Sequence, residues 1–191
     1  ASLEQSDACE VAVKWFGNKL NAVAAEVNDH FAKFRISDAL MAVYKFFWDD
    51  FCAWYLELVK PAYGSPIDAK TYEATLEFFE DLLKMIHPIM PFITEDLWHA
   101  VRERGENETI MFERYPVAGE SDAEYVAAFG LATEVVAGIR NIRQQKGLSP
   151  REPLKAYFVG DFSEEMWPVV VKLANISEIQ HVTSIDESLA G

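Results

Sequence analysis

Apolar residues recur at helical spacing along most of this chain. Between Leu3 and His30, Val11, Trp15, Leu20, Val23 and Val27 fall near one face, and Phe31 extends it, which predicts one long helix. A clearer stripe follows, in which Leu40, Val43, Phe47, Phe51, Trp54 and Leu58 alternate three- and four-residue steps. Ser37 is the expected N-cap, with Asp38 near the positive end of the helix dipole. Pro61 lacks an N–H and disfavours helix in the residue before it, so this helix should end at Lys60. AYGSPID, residues 62–68, reads as a loop, and a third helix is expected from Ala69 to His87 on Tyr72, Leu76, Phe79, Leu83 and Ile86. HPIMPFITEDLW, residues 87–98, interrupts the pattern. Pro88 should push His87 out of helical conformation, and a new helix then starts with Pro91 as its first residue or with Thr94 as its cap. Either arrangement is expected to turn Phe92, Leu97 and Trp98 into the core.

Residues 102–119 show no period beyond a short extended piece, TIMFERYP, closed by Pro116. Ser121 and Glu124 have the spacing of a capping box, opening a helix that carries Tyr125, Phe129, Ala132, Val136, Ile139 and Ile142 and stops at Gly147. After Pro150 the pattern changes: LKAYFV reads as a strand, Ser163 to Ala174 as a short helix and SEIQHVTSI as a second strand. The predicted class is mainly α, an antiparallel helical bundle over residues 1–149 followed by a small α+β appendage over 150–191.

Composition supports a folded chain. Of 191 residues, 50% are hydrophobic and 13% aromatic, enough for a sizeable core, and no apolar run approaches the ~20 residues of a membrane span. No secretory signal pattern opens the chain, and Cys9 and Cys52 lie far apart without a CxxC, so a reducing, cytoplasmic location is expected. The net charge of −14 argues against phosphate binding by the molecule as a whole. One stretch runs the other way. RNIRQQKGLSPREPLK sets Arg140, Arg143, Lys146, Arg151 and Lys155 against the single acid Glu152. Such a patch can act locally, because salt screens charge over about 8 Å at physiological strength. The plainer alternative is that these cations pair with neighbouring acidic helices.

Catalytic chemistry is not evident. The chain has no Gly-rich phosphate loop, GxSxG or HExxH. Asp96-x-x-His99 and Glu178-x-x-His181 have the spacing of bundle metal ligands. The first has Asp in place of Glu, and the second lies in a predicted strand, where a three-residue offset sends side chains to opposite faces. No metal site is therefore expected. The aromatic set Phe46, Phe47, Trp48, Trp54 and Tyr55 reads as core. Phe34 differs, standing between Lys33 and Arg35 at a bundle corner. It suits either a staple under the next helix or a platform for an unstacked base.

Three segments carry a resemblance: FRISDALMAVYKFFWDDFCAWYLELVKP, LLKMIHPIMPFITEDLW and VVAGIRNIRQQKGLSPREPL. In this order and at these separations they resemble the C-terminal anticodon-binding domain of the class I aminoacyl-tRNA synthetases. The WYLE-x-x-KP and HP-x-MPFITE-x-LW forms are most similar to the valyl branch. The likeness implies an RNA-recognising fragment of a ligase, lacking the His-Ile-Gly-His and Lys-Met-Ser-Lys-Ser signatures and not catalytic by itself. ATP and Mg would serve the full-length enzyme only, and the fragment would stop before a C-terminal coiled coil. The implied partners are tRNA(Val) and the catalytic and editing domains of the same polypeptide, in a monomer. Candidate RNA contacts are Lys33, Phe34 and Arg35 at the first connector and Arg140, Arg143 and Lys146 near a helix C-terminus. The arginines can equally brace the α+β tail. A helical scaffold of the isoleucyl or leucyl type, without anticodon contact, is the alternative.

Overall fold

The computed structural model describes residues 3–105 and 107–184. Its first helix, α1, runs Asp7–Ala32 and begins at Ser6, whose hydroxyl accepts the Cys9 amide. One continuous rod follows, made of α2 (Ile36–Lys45), a π-helical stretch (Phe46–Tyr55) and α3 (Leu56–Val59), and it ends at Lys60 as the proline requires. Arg35, not Ser37, occupies the N-cap position, and no side chain caps the helix there, because the tight turn out of α1 leaves Ser37 already inside the first turn.

The π stretch changes which residues face inward. Five-residue hydrogen-bond steps put Phe46 and Phe51 on the core face together with Tyr55, leaving Phe47 and Trp54 half-buried, and Leu40 and Trp48 exposed. The expected stripe through Phe47 and Trp54 is thus rotated by part of a turn. Phe16 of α1 sits at the focus, with ring centroids 4.7 Å from Phe46, 5.4 Å from Phe51 and 4.8 Å from Tyr55.

Helix α4 (Ala69–Ile86) is capped by Asp68, whose carboxylate accepts the Thr71 amide at 2.8 Å. Its inward face is Leu82, Leu83 and Met85, while Tyr72 is exposed. Helix α5 (Pro91–Val101) starts with proline in its first turn, so Thr94 is not the cap. The Thr94 hydroxyl instead donates back to the Met90 carbonyl at 2.8 Å and meets His87 Nδ1 at 2.7 Å. His87 keeps helical dihedrals despite Pro88. Its amide still bonds Leu83 O, its ring is tied to Thr94, and these offset the steric cost of the following proline. Trp98 is buried and Leu97 half-buried as expected, but Phe92 is 86% exposed: at the second position of α5 it faces outward.

The segment expected to be extended contains a 3-10 turn, Ile110–Phe112, because Ile110 is drawn into a small core with Leu83 and Trp98. Glu95 holds this turn, accepting the Thr109 hydroxyl at 2.7 Å and the Ile110 amide at 3.2 Å, with His99 at 3.1 Å on its other oxygen. Burial opposes ionisation, but these hydrogen bonds outweigh it and hold the Glu95 carboxyl below the usual glutamate range. The corresponding stability is present above the unfolded-state value, near 4.5, and is lost as pH falls through the lower folded-state value. Glu95→Gln is expected to flatten that acid limb in a pH series of urea midpoints and to leave the neutral-to-alkaline limb in place.

Helix α6 (Ala123–Lys146) lies antiparallel to α1. Its entry is clasped by Asn18 and Asn21, whose side chains bond the backbone of Gly119, Glu120 and Asp122, while the Ser121 hydroxyl donates to Asn18 O, and Trp15 stacks on Phe129 at 3.8 Å. Asp122 is the cap, accepting the Tyr125 amide, and Ser121 donates to Asn18 O, so no capping box forms. Gly147 closes the helix at φ 66° with the Leu148 amide on Arg143 O, the left-handed ending that glycine permits. Strand β1 (Leu154–Phe158), helix α7 (Trp167–Ala174) and strand β2 (Ile176–His181) form a parallel βαβ unit. The second strand ends at His181; the expected end at Ile185 lies outside the described residues. Met166, Val169, Val170 and Ile176 join the same core cluster as Trp15 and Phe129.

Candidate functional site

Lys33, Phe34 and Arg35 form the turn between α1 and α2. The Arg35 amide reaches back to His30 O at 2.8 Å and the Phe34 amide to Phe31 O at 3.0 Å, closing α1 in a way that needs a left-handed residue just past the helix end. Phe34 is that residue, at φ 57°, a position where glycine is usual and an L side chain costs roughly 1–2 kcal/mol. The ring gains nothing from burial either, being 89% exposed, so the staple role is excluded. Beside it Asp29 accepts Lys33 Nζ at 2.7 Å and Arg35 Nη2 at 3.0 Å. The Lys33 hydrogen bond is the main reason its carboxyl stays below the ordinary aspartate range. Both cations stay about half exposed, Lys33 at 57% and Arg35 at 45% of the side chain. The corner therefore offers an open aromatic face flanked by two positioned cations.

An apolar groove of about 290 Å³ begins close by, lined by Leu40, Tyr44 and Trp48 from the rod and by Met90, Ile93 and Leu97. Leu40 is one turn beyond Ile36, and Phe92 lies beside Met90 and Ile93. The exposed Phe92 thus belongs to the same end of the bundle as Phe34. It was missed because proline-flanked apolar residues in a helical chain resemble core.

The second cluster is elsewhere. Arg140 is exposed, its guanidinium 5.8 Å from the Trp54 ring and its Nη2 on Leu173 O at 3.1 Å. Lys146 is exposed at the helix end. Arg143 is 4% exposed and donates four hydrogen bonds to carbonyls, from Nη1 to Ser149 at 2.9 Å and Glu152 at 2.7 Å, and from Nη2 to Ala174 at 2.9 Å and Asn175 at 3.0 Å. Burial removes it from the side chains that can meet a ligand directly: it braces the βαβ unit.

Because α6 runs antiparallel to α1, these residues lie level with the start of α1, where Cys9, Val59 and Lys172 line one hollow. Lys33 lies at the far end of that helix. Twenty-four residues of rise separate Cys9 from Lys33, about 36 Å, so the fold places the two candidate clusters at opposite ends. The metal-spaced pairs are also resolved. His99 bonds Glu95 and not Asp96, Glu178 pairs with Lys155, and His181 bonds Gly160 O.

A family model described as the anticodon-binding domain of tRNA ligase matches residues 13–158. The chain belongs to this anticodon-binding family. Both candidate clusters lie within the matched span. Among curated relatives, the valine–tRNA ligase of Parabacteroides distasonis is 46% identical over 190 residues, 100% of this chain and 21% of the relative. That of Porphyromonas gingivalis is 48% identical over 178 residues, 93% of this chain and 20% of the relative, and that of Christiangramia forsetii 40% over 191, 98% and 22%. The chain therefore spans about a fifth of the length of the relatives it matches. No helix of its described residues is long and apolar enough to cross a membrane.

Proposed function

We propose that this chain is the anticodon-binding part of a valine–tRNA ligase and that its Phe34 corner meets the anticodon loop of tRNA(Val). The observation that carries this reading is a phenylalanine kept in a left-handed turn and open to solvent, where neither backbone nor burial favours it. Unpaired loop bases stack on such rings, and neighbouring cations hold the phosphates. Lys33 and Arg35, steadied by Asp29, fill that role, and Phe92 extends the apolar surface. A stiff bundle suits the task, because a loop far from a reaction centre must be held in fixed register. In the longer polypeptide, catalytic and editing domains would attach valine to the RNA with ATP and Mg, as a cytoplasmic monomer. This chain supplies recognition and no chemistry.

Phe34 separates stability from binding. Phe34→Gly is expected to raise stability by up to about 1 kcal/mol, since glycine accepts the left-handed turn without strain. The same variant should lose about 1–3 kcal/mol of affinity for an anticodon stem-loop at low salt, the usual worth of one base stacked on an aromatic ring. Fluorescence anisotropy and urea unfolding read the two quantities. Unchanged RNA affinity would remove Phe34 from the interface. Equal binding of isoleucine and valine anticodon stem-loops would count against the valyl assignment, and binding of neither would favour a scaffold of the isoleucyl or leucyl type.

A further inference from the structure

At the end of the bundle remote from Phe34, a groove of about 630 Å³ lies between the last turns of α6, the 148–150 segment and the end of α7. Arg140, Arg143, Gln144, Leu148, Pro150 and Leu173 line it. Its charge is unusual for this molecule. Most cations elsewhere have found acids: Lys14 pairs with Glu165, Lys19 with Asp50, Lys84 with Asp81, and Arg102 with both Glu73 and Glu80. Among the described residues, Arg140, Arg143, Lys146 and Arg151 have no carboxylate within 4.0 Å. Arg143 is the sharpest case, a buried guanidinium partnered only by carbonyl dipoles, with Nε lacking any partner. Buried charges are normally neutralised by an opposite charge, so an uncompensated one beneath a groove leaves the groove positive. At the mouth, Arg140 commits Nη2 to Leu173 O, and Gln144 is exposed beside it.

We infer that this groove binds a phosphodiester of the tRNA backbone, a second contact on the order of 30 Å from the Phe34 corner. The inference rests on the reading of that corner as an RNA interface. The Arg140 fork suits phosphate oxygens, and Leu148, Pro150 and Leu173 offer an apolar wall to the adjoining ribose. Exposed Lys146 and Arg151 extend the positive surface along the same segment. A contact of this kind carries no sequence information: it fixes register, holding the RNA alongside the bundle so that its loop arrives at Phe34. Arg143 acts from beneath as a positioning residue and source of field.

The test uses the 191-residue chain, checked by circular dichroism, with two tRNA(Val) transcripts, one carrying an altered anticodon. The double reversal Arg140→Glu and Lys146→Glu is expected to weaken both transcripts by the same factor, about tenfold or more. It should also reduce the slope of log affinity against log salt by about 2 between roughly 50 and 200 mM. Phe34→Ala should leave that slope unchanged and reduce discrimination between the anticodons. If the reversal leaves affinity and slope unaltered while Phe34→Ala weakens binding, the groove contact is overturned and the Phe34 interface stands. A reversal that weakens only the transcript with the valine anticodon overturns the backbone assignment. If the parent chain binds neither transcript, both readings fall.

Discussion

Methionine in place of Arg143 is expected to destabilise the chain by about 3–5 kcal/mol, because it takes the charged donor from four backbone carbonyls at once. The guanidinium gathers the carbonyls of Ser149, Glu152, Ala174 and Asn175. Ser149 O and Asn175 O also accept the Glu152 and Leu154 amides, so the carbonyls of Glu152 and Ala174 depend on the arginine most. Two of the four belong to the end of α7, where the last carbonyls have no partner inside the helix and the dipole favours a cation. Methionine fills similar space but leaves the oxygens without their donor, at about 1–3 kcal/mol for each one that neither water nor another amide can reach. Relaxation of the 149–152 segment should let some of them hydrate, which keeps the total below the simple sum. Lysine is not a substitute, because a single ammonium cannot span two pairs of carbonyls as the planar fork does. Arg143→Lys should therefore recover less than half of the loss. Urea unfolding followed by circular dichroism gives the magnitude, and amide exchange gives the place: the β1–β2 ladder should lose protection before α1 does. An Arg143→Met variant within about 1 kcal/mol of the parent, with the ladder still protected, would show that the βαβ unit is held by its shared apolar core alone.

The bundle, its breaks and the α+β tail were legible in the chain because they rest on local chemistry. Pro61, Pro91 and Gly147 act through their own backbone geometry, and each stands at the element end that geometry implies. The errors arose where distant residues decided the outcome. Ser121 and Glu124 have capping-box spacing, yet Asn18 of α1 claims Ser121 and Asp122 becomes the cap. TIMF reads as extended until Leu83 and Trp98 supply a core that bends it around Ile110. The site was legible by residue type but not by arrangement. Phe34 between two cations drew notice, while its left-handed backbone and outward ring did not show in the residues around it. Arg140 and Arg143 are one turn apart and read alike, but the α7 carbonyls bury one and leave the other open. Nothing local placed the two clusters at opposite ends; that follows from the antiparallel pairing of α1 with α6.

The rotated stripe of the second rod leads to the other large expected effect. Phe16→Ala should cost about 3–5 kcal/mol, the usual range for emptying a buried phenylalanine site. Phe16 is fully buried and touches aromatic rings from two elements, Phe46, Phe51 and Tyr55 on the rod and Phe78 on α4, with centroids 4.7 to 5.4 Å away. In a plain α-helix, a single ring on α1 could not meet residues at 46, 51 and 55 together, since a five-residue step overshoots one turn by more than a residue. The π stretch widens the turn and brings them onto one face, at the expense of weaker backbone geometry. The aromatic cluster therefore supports the π segment, and the segment in turn positions the cluster. Removing the ring at 16 should release both. Beyond the loss in urea midpoint, amide exchange within residues 46–55 should accelerate far more than in α6, which meets α1 through the stack of Trp15 on Phe129. Phe16→Leu, which keeps most of the volume, should cost less than half as much and preserve protection in the rod. Equal acceleration in α6 and the rod after Phe16→Ala would mean that the cavity loosens the whole bundle, and that the π geometry is set by the rod's own sequence without help from α1.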